Sequence, residues 1–164
     1  MIVVGLGQVG LRLCMLLREC GVLVVAFDAD PNSETVGLAR RLQIPVVIGR
    51  GANPAVLRRL SPRSARALVA VTDRDLVNIE SALTARSLNP DLRVIVRAGD
   101  GEVADETRSL FRIGHVIDVH RLGAAYIAGV ALGSDAESIA VREGTPQLLL
   151  PGGGHEPFPL EIAK

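Results

Sequence analysis

A glycine-rich turn near the start of the chain has the residues needed to hold a pyrophosphate. Its glycines are spaced as G-x-G-x-x-G, in the stretch Gly5-Leu6-Gly7-Gln8-Val9-Gly10. The first glycine permits a tight turn, the second lets the backbone approach phosphates, and the third lets a helix pack on a sheet. The helix that begins there would offer free N–H groups and positive partial charge to an anion. The turn therefore predicts a phosphate-binding site.

A carboxylate follows at the spacing that such a site requires. Asp28 lies 18 residues after Gly10 at the end of an apolar run, where it can accept hydrogen bonds from both ribose hydroxyls of an adenosine. Ala29 and Asp30 come next and no arginine is near in sequence, so a 2′-phosphate would meet only negative charge. This disfavours NADP. NAD(H), ATP, ADP and AMP all stay open, because they share the adenosine and its phosphates.

Six apolar runs of strand length must position these residues. They are Ile2–Val4, Val22–Phe27, Val46–Ile48, Ala67–Val71, Arg93–Val96 and Val116–Val119. The stretches between them have apolar residues at helical spacing. This alternation predicts an α/β fold, a doubly wound parallel six-stranded Rossmann-like sheet with a short C-terminal extension. Because glycine and proline become frequent from Ser134, we assign residues 1–133 to a nucleotide-binding domain and 134–164 to a linker or the start of a C-terminal lobe.

The composition argues against several classes of function. The chain has 164 residues, 18 basic and 18 acidic, and its aromatic residues are Phe27, Phe111, Tyr126 and Phe158. Zero formal charge leaves no net field to concentrate nucleic acid or anionic lipid, and so few aromatics provide no base-stacking platform. Lys164 is the single lysine, which leaves lysine chemistry almost without a candidate. We expect no nucleic-acid partner.

The rest of the sequence offers no recognisable catalytic or metal-binding set. His115, His120 and His155 are scattered, and no grouping of His, Cys and acids has metal-ligand spacing. Thr72 and Asp73 end a strand, but no base is placed beside them in a recognisable arrangement. We therefore expect no catalytic residue, no metal and no enzymatic activity.

Cysteine usage and hydropathy indicate a cytoplasmic chain. Cys14 and Cys20 are six residues apart in a predicted helix, on different faces, which prevents a bridge and suggests a reducing compartment. No apolar run approaches the ~20 residues that span a bilayer. The segment Met1–Gly10 lacks the basic flank of a signal peptide. Since the first strand starts almost at Met1, we expect a domain that belongs to a larger protein.

Several stretches match one family closely. The most specific is residues 69–78, Val-Ala-Val-Thr-Asp-Arg-Asp-Leu-Val-Asn; the others are 3–10, 25–30, 85–90 and 94–98. With them, residues 2–133 resemble the RCK or TrkA-N family, the nucleotide-binding regulatory domains of potassium channels and Trk/Ktr-type potassium uptake systems. A generic dehydrogenase is not expected to share the stretches around the fourth and fifth strands.

The resemblance implies a set of nucleotide-binding residues. Gly5, Gly7 and Gly10 with Gln8 and Val9 would hold the phosphates, and Asp28, followed by Ala29 and Asp30, would hold the adenosine ribose. Thr72 and Asp73 would line the pocket. Arg97 would face the nucleotide or its neighbours, with a surface ion pair as an equal alternative.

One position departs from the family pattern. Relatives commonly have Gly-Asp-Ala after the third strand, whereas this chain has Gly49-Arg50-Gly51-Ala52. Arg50 could pair with Asp28 or Asp30, contact a phosphate, or mark a site whose ligand has changed or been lost. A neutral Gln8, where some relatives have a basic residue, favours NAD(H) over ATP.

The function implied by the resemblance is allosteric, with a membrane-embedded potassium channel or transporter subunit as partner. The chain would act as a homodimer or higher ring at the cytosolic face of the membrane, and helices 76–88 and 103–111 would be candidates for the paired interface. Helix 122–132 resembles the family's crossover helix. Two alternatives stay open: the cofactor-binding domain of an NAD-dependent oxidoreductase whose catalytic part lies outside this chain, and a domain kept for assembly alone.

Overall fold

The computed structural model describes residues 1–49, 53–60, 62–99, 113, 115–142 and 145–158. Two compact units divide the chain, Met1–Ile117 and Asp118–Lys164. Arg50 and the predicted helix 103–111 lie outside the described residues. No helix in the described ranges is both long enough and apolar enough to cross a bilayer.

Strands and helices alternate through the first unit. The strands are β1 (Ile2–Val4), β2 (Val25–Asp28), β3 (Val46–Ile48), β4 (Ala67–Ala70), β5 (Arg93–Ala98) and β6 (His115–Asp118). The helices between them are α1 (Gln8–Glu19), α2 (Glu34–Arg41), α3 (Pro54–Arg59) and α4 (Asp75–Leu88). The second unit holds α5 (Val119–Ala131), β7 (Ser138–Arg142), β8 (Thr145–Leu149) and β9 (His155–Pro157), with a 3₁₀ turn at Pro151–Gly153.

The six strands of the main sheet lie in the order β3-β2-β1-β4-β5-β6. All run parallel, and β1 is central, pairing Val3 with Ala26 of β2 and with Val69 of β4. The chain therefore reverses its direction of winding between β1 and β4, which leaves a crevice at the carboxyl ends of these strands. The predicted doubly wound sheet is confirmed.

The alternating side chains of the strands form a separate core on each face of the sheet. Ile2 and Val4 pack with residues of α3 and α4, whereas Val3 packs with residues of α1 and α2. Successive strand residues point to opposite faces, so helices on both faces require strands that are apolar at every position. The unbroken Val/Ile/Leu runs in the sequence have this cause.

Two element boundaries differ from the sequence prediction by three residues, and several others differ by one or two. The second strand begins at Val25 instead of Val22, because Gly21 turns the chain with φ of +73° and Leu23 is 89% exposed. Helix α5 begins at Val119 instead of Leu122, because the Asp118 carboxylate accepts a hydrogen bond from the Arg121 N–H at 2.8 Å and caps the first turn.

The second unit combines α5 with a three-stranded antiparallel sheet in the order β7-β8-β9. Gly129 of α5 faces β8 so closely that a Cβ there would lie 2.4 Å from Leu148 Cδ1. The structure thus groups α5 with the strands that follow, whereas the sequence analysis placed α5 in the first domain and the boundary at residue 133. Strands do form within 134–164; the assignment of domains stays a prediction.

Candidate functional site

A cavity of about 1070 Å³ opens at the carboxyl edge of the main sheet. Of the twelve residues that the sequence analysis assigned to a nucleotide, ten line it: Gly5, Gly7, Gln8, Val9, Asp28, Ala29, Asp30, Thr72, Asp73 and Arg97. Gly10 does not line the cavity but packs behind the turn. Arg50 lies outside the described residues. The fold thus gathers residues from four separate parts of the sequence at one crevice.

The glycine turn leaves open space directly at the start of α1. Gly5 has φ of +95°, a conformation that favours glycine, and its N–H donates to the Phe27 carbonyl at 2.8 Å. No side chain caps the first turn of α1, and a Cβ built at Gly7 would meet nothing within 4 Å. The uncapped N–H groups and the space at Gly7 together suit an anionic group such as a phosphate.

The Asp28 carboxylate is fixed by two backbone donors. Its Oδ2 accepts from the Leu6 N–H at 2.6 Å, and its Oδ1 accepts from the Asp30 N–H at 2.9 Å. The first bond ties the end of β2 to the glycine turn across the crevice. Each carboxylate oxygen has a second lone pair, so Asp28 can still accept from hydroxyl groups of a ligand. Its orientation is set before any ligand arrives.

The amide of Asn78 organises the other wall of the crevice. This side chain is fully buried in α4, and its Nδ2 donates to the carbonyls of Thr72 and Arg97, each at 3.0 Å. Its Oδ1 accepts from the Thr72 N–H at 2.8 Å and lies 2.7 Å from the Thr72 hydroxyl. One buried amide therefore joins the end of β4, the end of β5 and the first turn of α4.

Charged side chains of both signs line the cavity. Asp28 and Asp30 lie on the β2 side, whereas Arg74 and Arg97 lie on the β4 and β5 side. Nη1 of Arg97 donates to the Thr72 carbonyl at 3.4 Å, which holds the guanidinium against the end of β4. The arrangement offers acceptors for hydroxyl groups on one side and positive charge for a phosphate on the other.

The structure adds residues that the sequence analysis did not assign to the site. Ser33, Arg74, Val77 and Glu80 line the cavity, and Asn78 supports it from behind. A signal for Asn78 was present, because it lies four and seven residues before Ala82 and Ala85, which are buried in α4. A polar residue at an inward helical position needs a buried partner. Its partners, however, depend on the tertiary fold.

Metal binding has no support in the described part of the chain, where no group of three or more His, Cys, Asp or Glu side chains could hold an ion. The described lining of the cavity contains no histidine, cysteine or lysine. Its chemistry is that of hydrogen-bond acceptors, backbone N–H groups and guanidinium groups.

Similar proteins include subunits of potassium transport. Potassium channel protein 1 of Methanocaldococcus jannaschii is 22% identical over 136 residues, which cover 82% of this chain and 40% of that protein. The Trk system potassium uptake protein TrkA of Halomonas elongata is 40% identical over 89 residues, which cover 53% of this chain and 19% of that protein. The chain thus spans less than half the length of these relatives.

Solved structures share the fold at low sequence identity. The NAD(P)-binding domain of an exopolyphosphatase-related protein from Archaeoglobus fulgidus has a TM-score of 0.67 and 22% identity, covering 80% of this chain and 96% of that one. The Kef C-terminal domain of Shewanella denitrificans, in its AMP-bound form, has a TM-score of 0.66 and 20% identity, covering 81% and 80%.

A family model settles the relationship. The model of the TrkA-N domain matches residues 1–118, which include the whole main sheet and every described residue of the crevice. The match covers well over half of the sequence. This chain belongs to the TrkA-N domain family.

Proposed function

We propose that this chain is a nucleotide-binding regulatory domain of a potassium channel or potassium transporter. Membership of the TrkA-N family and the names of the two potassium-transport relatives support this assignment. The partner is a membrane-embedded subunit, the domain works as a homodimer or higher ring, and it lies at the cytosolic face of the membrane.

The orientation of Asp28 is the observation that carries the ligand proposal. Its two backbone donors, the N–H groups of Leu6 and Asp30, hold the carboxylate beside the open space at Gly7. A ribose bound to Asp28 would place its 5′-phosphate toward the glycine turn and the start of α1. An adenine nucleotide matches both ends of this arrangement.

Among the adenine nucleotides, NAD(H) is our first choice, and ATP, ADP and AMP are alternatives. The cavity of about 1070 Å³ is at the upper end of the usual range for small-molecule sites, which suits a dinucleotide. Gln8 is neutral and gives no charge to a terminal phosphate. Asp28 and Asp30 would both repel a 2′-phosphate, so NADP binds more weakly than NAD. AMP stays an alternative because the similar Kef C-terminal domain is in an AMP-bound form.

The proposed mechanism is a shift in domain pairing without a chemical step on the ligand. A ligand that contacts Thr72 or Arg97 acts on α4 directly, because Asn78 ties both backbones to that helix. Helix α4 also has Leu76 and Leu83 partly exposed at 64% and 36%. If these leucines pack against a second copy, a nucleotide that favours one setting of α4 biases the assembly by its difference in affinity.

Calorimetric titration with NAD+, NADH, ATP, ADP and AMP tests the ligand. We expect at least one of these nucleotides to bind. Asp28→Ala should weaken the binding free energy of that nucleotide by about 1–3 kcal/mol, because the ribose hydroxyls lose their acceptor. Asp91→Ala is the matched control, since Asp91 is an exposed acid beyond the crevice. Failure of all five nucleotides to bind would falsify the sensor proposal.

The transport role needs the whole protein in a membrane. Potassium flux through proteoliposomes that contain the complete protein is expected to change with the bound nucleotide, and Asp28→Ala is expected to abolish that response while Asp91→Ala keeps it. If the potassium flux of the wild-type protein does not change with the nucleotide, the chain can bind a nucleotide without regulating transport. That result would contradict the proposed regulatory role.

A further inference from the structure

The basic residues of this neutral chain are distributed unevenly. From Thr35 to Thr72 the sequence contains seven arginines and no aspartate or glutamate. Of the acids of the first unit, Asp28, Asp30 and Asp73 line the crevice. Two others, Glu19 at the end of α1 and Asp91 before β5, lie at the amino edge of the sheet and offset part of its positive charge. A zero net charge thus conceals a local excess of positive charge within the first unit.

The fold collects six of these arginines at the amino edge of the main sheet, opposite the crevice; Arg50 lies outside the described residues. Helices that follow parallel strands run back toward the amino ends, so the last residues of α2 and α3 lie there. The amino-edge arginines are Arg40, Arg41, Arg58, Arg59, Arg63 and Arg66, and all six are exposed. The last of them directly precedes β4.

An apolar side chain projects from the same edge. Leu23 precedes β2 and is 89% exposed, the largest exposure among the exposed large hydrophobic residues of the described chain. It lines a shallow pocket of about 210 Å³ together with Leu60, Ser64 and Ala65. This pocket therefore connects Leu23 with the loop that carries Arg63 and Arg66. The backbone carbonyl of Leu23 accepts a hydrogen bond from the Met1 amino group at 2.6 Å, which fixes the turn that precedes β2.

A second contact joins α1 to this edge. The Arg18 guanidinium donates to the carbonyl of Leu42, the residue that follows α2 directly after Arg40 and Arg41. Leu42 is 37% exposed and Leu16 of α1 is 51% exposed. Partly exposed leucines and guanidinium groups are thus interleaved along the edge.

We propose that the amino edge of the sheet docks on the surface of an anionic lipid bilayer. Guanidinium groups bind phosphate oxygens in pairs of hydrogen bonds, and each basic residue near an anionic membrane adds to the attraction. Leu23 enters the headgroup region as an apolar anchor. Binding by both charge and a buried apolar group is typical of peripheral membrane surfaces.

The observations favour lipid over nucleic acid as the occupant. A nucleic acid would gain from the arginines but not from Leu23, because a phosphate backbone has no apolar layer to accept it. The described part of this edge also has no aromatic side chain on which a base could stack. The inference does not depend on nucleotide binding, since the crevice opens at the opposite edge and stays accessible.

Sedimentation of the chain with lipid vesicles tests the proposal. We expect binding to vesicles of equal parts phosphatidylcholine and phosphatidylglycerol, weakened by added salt, and little binding to phosphatidylcholine alone. The double variant R63Q/R66Q should lower the partition coefficient by roughly 25-fold, at roughly fivefold for each arginine. Leu23→Ser should lower it roughly fivefold through lost apolar burial.

The matched control is R121Q/R142Q, which removes two exposed arginines of the second unit and keeps the net charge equal to that of R63Q/R66Q. Equal losses from the two double variants would mean that total charge alone acts, and would overturn the proposal. Absence of binding to the anionic vesicles would also overturn it. The proposal would also be overturned if the chain bound duplex DNA and not vesicles, and if R63Q/R66Q abolished that binding to DNA. We expect R63Q/R66Q to keep the wild-type affinity for the nucleotide in calorimetric titration. The membrane proposal and the nucleotide proposal can therefore fail independently.

Discussion

Three glycines of one motif have three different physical tasks. A Cβ at Gly10 would lie 1.8 Å from the Gly5 carbonyl oxygen, so that position tolerates no side chain. Gly5 combines φ of +95° with a close approach of the Thr72 backbone, where a Cβ would lie 2.9 Å from the nitrogen. Gly7 has neither constraint, because its φ is −65° and open space lies beside it. The fold therefore requires Gly5 and Gly10, whereas only the proposed ligand would give a reason for glycine at position 7.

The first prediction compares Gly10→Ala with Gly7→Ala. Gly10→Ala forces a methyl group into backbone, so it should lower the free energy of unfolding by about 3 kcal/mol or prevent folding. Gly7→Ala should leave the free energy of unfolding within about 0.5 kcal/mol of the wild type. It should nevertheless lower the affinity for the nucleotide at least tenfold, because its methyl group occupies the space that the phosphates need. Urea unfolding and calorimetry measure the two quantities. A Gly7→Ala variant with wild-type affinity would contradict a ligand at the glycine turn.

Residues differ in how far their sequence context reveals them. Asp28 was predictable, because a strand of known direction and a fixed spacing from Gly10 determine where its carboxylate lies. Asn78 was not assigned, because its four hydrogen-bonding contacts join β4 and β5, whose proximity is a property of the fold. Arg97 was predicted to lie at the crevice, but its bond to the Thr72 carbonyl was not.

At the scale of elements, the order of strands and helices follows from hydrophobic periodicity, and the ends follow from local contacts. The apolar run Val22–Phe27 reads as a single strand, yet its first residues turn outward and leave Leu23 exposed. The Asp118 cap likewise moves the start of α5. Single hydrogen bonds and turns set such ends, and a periodic pattern averages over them.

The second prediction concerns the amide that ties α4 to the sheet. Asn78→Ala should lower the free energy of unfolding by about 2–4 kcal/mol, because the Thr72 N–H and two carbonyls lose a buried partner. Asn78→Asp keeps the shape but cannot donate, and places a carboxylate 3.0 Å from two carbonyl oxygens, so it should cost more. Both variants should also weaken nucleotide binding, since Thr72 and Arg97 line the crevice. Urea unfolding and titration measure these effects.

Ser81 provides the control on the same helix. It is also fully buried, but its hydroxyl donates to the Val77 carbonyl within α4 at 2.7 Å and makes no bond to a strand end in the described structure. Ser81→Ala should therefore cost less stability and leave the nucleotide affinity unchanged. If Asn78→Ala lowers stability and keeps full affinity, Asn78 supports only the fold and does not position the crevice.

At the scale of the whole molecule, the distribution of charge matters more than its sum. The balance of 18 basic and 18 acidic residues argued against an anionic partner, but six arginines of the acid-free stretch Thr35–Thr72 lie at the amino edge of the sheet. At the opposite edge Asp28, Asp30 and Asp73 line the crevice together with Arg74 and Arg97, so the excess of positive charge in the first unit lies at the amino edge. The connectivity of a parallel sheet places the amino-edge arginines at the edge opposite to the acids that line the crevice. Composition alone does not show this separation.

The last prediction concerns the stability of the first unit at alkaline pH. Cys14 is fully buried in the core between the sheet and α1, and this burial raises the pKa of its thiol from 9.0 to about 11. Below pH 9 both the folded and the unfolded chain keep the proton, so the thiol contributes its full stability. Between pH 9 and 11 only the unfolded chain releases it, so unfolding becomes easier by on the order of 2 kcal/mol.

Urea unfolding from pH 8 to 11 measures this loss against two variants. Cys14→Ala should be less stable at pH 8, because it leaves a small cavity, but its stability should fall less steeply above pH 9 because no buried thiol titrates. Cys20→Ser should keep the wild-type slope, since Cys20 is exposed. Equal slopes in the wild type and Cys14→Ala would show that water reaches the thiol, and that the buried cluster that Cys14 shares with Val3 and Leu11 is more loosely packed than their burial indicates.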